Sequence, residues 1–425
     1  MKRILFLIQW FPSEFSANAL CDEKIINELN KDDKLQIDVL AYRPNGSNSY
    51  EEKNGIRIYR FRRSIWWNVV IDAQKKTSLK SSVILRVHKL FKRLNIILTI
   101  PIYPIVDVFP IRKFKKEALK LCLKNEYDMV VSENHGSDSL HAGLYLKKKK
   151  PSIKLITIFW DPISAKLPPK YFPVNFSKRR LIAEEIKVLK IADKVIGMKK
   201  SEKTISKIMN SNPLFSKYLF YDIPGIEKPK VSANYNNNKF IKKGKINIVF
   251  SGILSLPDRD PEYIIKCFNL TSRAKDINLI FLCTGEGKTK LNKLESIFSG
   301  SIINTNYVVR DELNSIYNNS DVLLNFGGRN PNMVPSKIFE YMSYGKPVIS
   351  TYDIDNESSK SYFANYPLSI CIDQKSELKD SAKSIDVFFD LYLDKKVDFN
   401  LVSETFVNNT PKPYVNLITQ MLKGN

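Results

Sequence analysis

Short apolar runs, each followed by a stretch with helical spacing, recur along this chain and restart once after a polar break. Residues 4–8, 37–41, 127–131, 154–159 and 193–197 read as parallel strands, because a strand covered on both faces is continuously apolar rather than alternating. Residues 18–29, 140–147 and 181–192 carry helical spacing between them. The Asn-rich stretch 231–239 reads as a linker. Beyond it the plan repeats, with strands at 246–251, 278–283 and 321–325 and helices at 261–270 and 311–317. Such alternation predicts an α/β fold, a parallel sheet with helices on both faces, and its restart predicts two Rossmann-like domains. At 425 residues the chain is long enough for two cores.

Apolar content of 43% and charged content of 26% are ordinary for a folded protein, but a formal charge of +23 is not. That excess predicts an anionic partner: nucleic acid, acidic lipid or a phosphorylated substrate. No zinc finger, aromatic RNP pattern or helix-turn-helix accompanies the charge, so nucleic acid is not expected. Cys21, Cys122, Cys267, Cys283 and Cys371 are scattered and odd in number, which fits thiols in a reducing compartment. With His88, His135 and His141 they form no metal-ligand spacing, and no metal is expected. The apolar start, residues 4–8, is too short for a signal peptide and ends at Gln9-Trp10-Phe11-Pro12, so a cytoplasmic protein is expected.

The most specific local signal is Val334-Pro335-Ser336-Lys337-Ile338-Phe339-Glu340-Tyr341-Met342-Ser343-Tyr344-Gly345-Lys346-Pro347-Val348-Ile349. Pro335 suits a first helical turn, Ile338, Phe339 and Met342 form an apolar stripe, Gly345 stops the helix, and Val348-Ile349 begins a strand. Ser336 and Lys337 then stand at a helix start, where N–H groups, a hydroxyl and an ammonium favour an anion. Glu340, one turn on, is an acceptor for hydroxyls. A phosphate beside a polyol is the chemistry of a nucleotide-diphospho-sugar.

This segment resembles the donor-binding motif of family 4-like glycosyltransferases of the bacterial surface-polysaccharide type. The resemblance implies the GT-B fold, α/β with two Rossmann-like domains facing across a cleft. Residues 1–235 would be an acceptor-binding domain with a basic and apolar insertion at 65–116. Residues 236–405 would bind the nucleotide-sugar, and 406–425 would form a helix returning to the first domain. In that family the last carboxylate of an E-x7-E pair touches the donor ribose, and Glu340 matches it. The first carboxylate is replaced by Asn332. The family's loop after the first strand of the donor domain holds the diphosphate; here it carries Gly252, then Ile253, and Arg259 is the nearest cation, in Asp258-Arg259-Asp260. A guanidinium there binds two phosphate oxygens, unless it only pairs with those aspartates. The resemblance also sets Val309 against the nucleobase.

Gly285, in Cys283-Thr284-Gly285-Glu286-Gly287, permits either close approach to a ligand or a plain turn. The Gly327-Gly328 pair lines the sugar pocket or turns the chain. Ser16 stands where relatives carry a Gly-rich turn facing the donor, and an ordinary N-cap is the alternative. Relatives hold a His where this chain has Asp161, so Asp161 is a candidate base; Asp-Pro is also a common turn. His135 and Glu133 are further candidates. The catalytic set expected is Arg259, Lys337, Asp161 and His135.

Between 75 and 116 the chain carries Lys75, Lys76, Lys80, Arg86, Lys89, Lys92, Arg93, Arg112, Lys113, Lys115 and Lys116 against Asp107. The apolar run 96–106 is too short and too Pro-broken to span a bilayer. With Leu85, His88, Leu90, Phe91 and Leu94 beside the lysines, and Trp66-Trp67 upstream, it suits an anionic membrane surface; packing on its own domain is the alternative. The function expected is transfer of a sugar from a nucleotide-diphospho-sugar to a saccharide or lipid-linked acceptor, with retention implied by the resemblance. A non-catalytic nucleotide-sugar-binding partner and a GT-B epimerase are the alternatives.

Overall fold

The structure, a computed structural model, describes residues 1–11, 17–74, 78–106, 108–134, 136–168, 172–209, 212–229, 239–329 and 334–424. The expected linker lies outside these except for Lys239, as do Lys75, Lys76 and Asp107. The chain divides into two compact units, Met1–Pro224 with Pro411–Asn425, and Gly225–Thr410. The change of unit falls ahead of the expected 235 because of local packing. The Ile226 N–H donates to the Asn409 carbonyl at 2.8 Å. A Cβ on Gly225 would lie 2.4 Å from that of Phe339.

The first unit runs β1 (Lys2–Leu7), α1 (Ala17–Leu29), β2 (Leu35–Tyr42), β3 (Tyr50–Lys53), β4 (Ile56–Phe61), α2 (Ile65–Gln74), α3 (Leu79–Leu98), α4 (Val108–Lys124), β5 (Met129–Glu133), α5 (Ser137–Lys149), β6 (Lys154–Phe159), α6 (Val174–Ile191), β7 (Lys194–Met198), α7 (Glu202–Met209) and β8 (Tyr218–Tyr221). Its sheet has the order β3-β4-β2-β1-β5-β6-β7-β8, parallel except for β3. Alternation along β1 sends Leu5 and Leu7 into one core layer and Ile4 and Phe6 into the other. The second layer contains Ile25 and Leu29 of α1 and Tyr414, Leu417 and Ile418 of the terminal helix.

The second unit contains β9 (Ile246–Ile253), α8 (Glu262–Leu270), β10 (Ile277–Thr284), α9 (Gly287–Glu295), β11 (Ser301–Thr305), α10 (Arg310–Asn319), β12 (Val322–Phe326), α11 (Lys337–Ser343), β13 (Val348–Tyr352), α12 (Lys360–Phe363), β14 (Ser369–Asp373), α13 (Leu378–Tyr392) and α14 (Phe399–Thr405). Its sheet, β11-β10-β9-β12-β13-β14, is parallel throughout. The chain then re-enters the first unit as α15 (Lys412–Lys423), where the Tyr414 hydroxyl donates to the Asp222 carbonyl at 2.9 Å.

The segment expected as one insertion divides in two. Helix α4 belongs to the Rossmann core, since Ile111, Phe114, Ala118 and Leu121 fall on one buried face; Arg112, Lys113, Lys115 and Lys116 ride on it. The added element is α2 with α3. Helix α3 turns Ser81, Ile84, Leu85, His88 and Ile96 inward. Leu79, Val83, Val87, Leu90, Phe91, Leu94, Ile97 and Leu98 form an exposed stripe, and Arg86, Lys89, Lys92 and Arg93 flank it. Trp67 packs inside, beneath the Arg63 guanidinium at 4.0 Å and against His88 at 5.9 Å. Trp66 stays part-exposed beside Phe91. No helix among the described residues is long and apolar enough to cross a membrane.

Candidate functional site

In an open parallel sheet, ligands bind outside the carboxyl ends of the strands where the strand order reverses. In the second unit that point lies between β9 and β12, with β10 and β11 on one side and β13 and β14 on the other. The carboxyl ends of β9, β10, β11 and β12, with the loops and helix starts that follow them, hold Gly252, Arg259, Gly285, Val309, Ser336, Lys337 and Glu340 from the sequence reading.

Helix α11 is seven residues long, with Ile338, Phe339 and Met342 fully buried. It starts later than its sequence suggests: Ser336 is the N-cap and Pro335 precedes it, and the Ser336 side chain makes no capping hydrogen bond. Gly345 ends it at φ +68°, with its N–H on the Met342 carbonyl at 2.9 Å.

Glu340 is nearly buried, and each of its oxygens lies at ion-pair distance from a cation. Oε2 lies 3.1 Å from the Lys337 ammonium and Oε1 lies 2.6 Å from a terminal nitrogen of Arg310. Beneath this cluster is a floor of tyrosines. Tyr317 packs edge-on against Tyr341 at 5.4 Å and against Tyr344 at 5.3 Å. The Tyr317 hydroxyl bonds the Ser251 hydroxyl, and the Tyr341 hydroxyl accepts the Ser251 N–H at 3.2 Å, tying the floor to β9. Burial first, then the Glu340 charge, hold Tyr317 well above the usual phenol value, so it stays a neutral phenol. The Lys337 ammonium sits 5.6 Å over the Tyr317 ring.

Sequence reading places Lys337 and Glu340 together and passes over Arg310, the first residue of α10. The available signal is a cation opening a helix directly after the strand-end loop. Val309, its neighbour, is exposed at the N-cap. Arg259, in the loop after β9, donates to the Ile253 carbonyl at 3.2 Å rather than pairing with Asp258 or Asp260. Asp260 is committed elsewhere, to Lys290 at 2.6 Å and the Glu262 N–H at 3.0 Å. No hydrogen bond or ion pair joins Arg259 to Lys337 or Glu340 among the described residues.

Gly285 has φ +104°, and a Cβ on it would lie 2.4 Å from the Leu254 carbonyl oxygen. The close approach it permits is therefore between the loops after β9 and β10. Gly252 is a milder case, with φ +154° and Phe250 at 3.2 Å from such a Cβ. Gly327 abuts the Thr351 carbonyl, whereas a Cβ on Gly328 would meet nothing within 4 Å among the described residues.

In the first unit the strand order reverses between β1 and β5. There the Gln9 N–H donates to Glu133 at 3.0 Å, and the Gln9 amide donates to Asp138 at 2.7 Å. Tyr42 also bonds Asp138. Glu133 is buried in this network, while the Asp161 side chain beyond β6 is exposed. Among the described residues, neither oxygen of buried Asp22 of α1 has a hydrogen bond of good geometry, the Trp160 indole being its nearest donor. Burial, then the Glu133 charge, push its carboxyl well above the usual range, partly offset by the Trp160 indole. Ser16, His135 and Asn332 lie outside the described residues.

Residues 245–361, which span these loops, match the family of glycosyl transferases group 1. No curated protein matches the sequence. Among solved structures the chain is similar to the α,α-trehalose-phosphate synthase (UDP-forming) of Burkholderia xenovorans in complex with glucose-6-phosphate, at 9% identity over 100% of each chain with a TM-score of 0.56. It is also similar to HepE of Anabaena in complex with UDP and glucose, at 11% identity over 100% of each chain with a TM-score of 0.56. UDP-GlcNAc 2-epimerase of Methanocaldococcus jannaschii follows at 12% identity, over 99% of this chain and 100% of that one, with a TM-score of 0.53. At such identities the likeness shows the fold: a two-domain GT-B architecture.

Proposed function

We propose that this chain, whose residues 245–361 form a group 1 glycosyltransferase domain within a GT-B fold, moves a sugar from a nucleotide-diphospho-sugar to a lipid-linked saccharide in bacterial surface-polysaccharide assembly. The observation that carries the donor half is the pairing of Lys337 and Glu340 inside the matched segment, a cation and a carboxylate at the carboxyl edge of a parallel sheet. HepE, of the same fold, was solved with UDP and glucose.

In the reaction, the bond from the anomeric carbon to the diphosphate oxygen breaks as an acceptor hydroxyl oxygen bonds that carbon. The nucleoside diphosphate leaves with the bonding electrons, and the hydroxyl proton passes to a base. Lys337 and Arg259 stabilise the charge growing on the leaving diphosphate. Glu340 takes the ribose hydroxyls. Asp161, exposed at the end of β6, fits the base better than Glu133, whose carboxylate already accepts the Gln9 N–H. Protein cations supply the neutralising charge, so no metal is required.

The acceptor half rests on α3. Its apolar stripe, flanked on one side by Arg86, Lys89, Lys92 and Arg93, matches the two layers of an anionic bilayer surface: acyl chains and negative headgroups. The enzyme works from the cytoplasm on that surface. Thermal stabilisation by a panel of UDP-, GDP- and ADP-sugars, followed by transfer of radiolabelled sugar to a membrane lipid extract, tests both halves. Stabilisation without turnover would make the chain a non-catalytic binding partner. A changed sugar still attached to its nucleotide would make it an epimerase. Neither stabilisation nor turnover with any donor would overturn the reading.

A further inference from the structure

Glu340 in this structure is not free to accept ribose hydroxyls, because Arg310 and Lys337 each occupy one of its oxygens. One carboxylate cannot neutralise two cations, so the cluster keeps a net positive charge. The three side chains are also unequally exposed: 8% for Glu340, 31% for Lys337 and 47% for Arg310. The carboxylate is thus the fixed, nearly buried member, set over the Tyr317, Tyr341 and Tyr344 floor. The cations are the long, flexible members with donors to spare, since a guanidinium carries five N–H groups and an ammonium three. They come from the loops after two different strands, β11 and β12.

We propose that Arg310 is a phosphate ligand for the donor, held in reserve on Glu340. This rests on the nucleotide-sugar reading of the same site. When the donor enters, its diphosphate takes over Arg310 and Lys337 while its ribose hydroxyls take over the carboxylate. Charge balance favours the exchange. A diphosphate brings more negative charge than one carboxylate, and it offers the guanidinium a fork of oxygens that matches its geometry. Hydroxyls bound to Glu340 in turn supply hydrogen bonds to the carboxylate that the departing cations leave unpaired. Glu340 therefore has two duties: it holds the two cations until the donor arrives and it selects for a ribose once they leave.

Calorimetry with UDP, GDP, ADP and inorganic pyrophosphate tests this on wild type, Arg310→Ala, Arg310→Lys, Glu340→Gln and the double variant Arg310→Ala/Glu340→Gln. Arg310→Ala should weaken the preferred nucleoside diphosphate roughly tenfold or more, the value of one charge-assisted hydrogen bond, with partial recovery in Arg310→Lys. Glu340→Gln should strengthen pyrophosphate binding several-fold while weakening the nucleoside diphosphate. Loss of Arg310 should cost more pyrophosphate affinity in the Glu340→Gln background than in wild type, because only there is the guanidinium already free. A merely structural ion pair would give the opposite pattern: Arg310→Ala would lower the melting temperature but leave both ligands bound as in wild type. That result overturns the proposal. The double variant buries no unpaired carboxylate, so a folding failure of Arg310→Ala alone leaves the comparison with Glu340→Gln intact. If wild type binds none of the nucleoside diphosphates, the donor reading itself fails and this proposal with it.

Discussion

Replacing Leu90, Phe91 and Leu94 together with serine should lower binding to anionic vesicles in a way that salt cannot imitate. These three side chains sit mid-stripe on α3 and are 58%, 59% and 47% exposed. Full burial of a Leu or Phe side chain is worth about 1.5–3 kcal/mol. About half of each is already covered by the protein, which leaves roughly 1 kcal/mol per residue for the bilayer, or about 3 kcal/mol for the three. That corresponds to a loss of more than about 100-fold in partitioning. The flanking Arg86, Lys89, Lys92 and Arg93 contribute a second term of about 1 kcal/mol each against an anionic surface. Only this second term is screened, over a Debye length of about 8 Å at physiological salt. Sedimentation with vesicles of phosphatidylglycerol and phosphatidylcholine, at low salt and at about 0.5 M, separates the two. Wild type should keep a salt-resistant bound fraction, and the triple-serine variant should bind only at low salt. If the variant co-sediments as well as wild type at both salts, the stripe does not enter lipid, and the membrane reading reduces to surface charge.

Three other outcomes follow from the geometry. Asp22 has its folded-state carboxyl raised above the unfolded value of 3.8, so above that pH the folded chain holds more protons than the unfolded chain, and stability falls as pH rises. Asp22→Asn should therefore raise urea-unfolding stability by about 1–3 kcal/mol at pH 8, with less gain at pH 5; an equal effect at both would refute the assignment. Gly345→Ala places a Cβ 2.1 Å from the Val397 carbonyl oxygen at φ +68°, and should cost about 1–3 kcal/mol in the same assay, with no change counting against it. Transferase activity should survive EDTA, because the D-x-D at 258–260 has Asp260 committed to Lys290 and a backbone N–H; loss restored by manganese or magnesium would overturn that.

What the sequence discloses here depends on whether a pattern is local. Strand β9 and helix α11 are legible because burial leaves a continuous run in one and a three-and-four stripe in the other, and Gly345 supplies the stop. Strand β3 reads Tyr-Glu-Glu-Lys and carries no apolar signal, being an edge strand with mostly exposed residues. Its cue is the Asn54-Gly55 turn, where φ values of +53° and +80° suit a tight hairpin. On α3 the residue types are legible but their phase is not at first sight. Leu85 and His88 seem to join Leu90, Phe91 and Leu94, yet the 100° step turns the first pair inward and the other three out. The candidate site is the harder case. Lys337 and Glu340 are one turn apart, so a sequence motif can join them. Arg310 reaches the same carboxylate from another loop, 30 residues earlier. No periodicity links two strand-end loops; only the sheet order β11-β10-β9-β12 sets them on one edge. A search for motifs therefore finds the carboxylate and one cation. The second cation, Arg310, is joined to that carboxylate by tertiary structure alone.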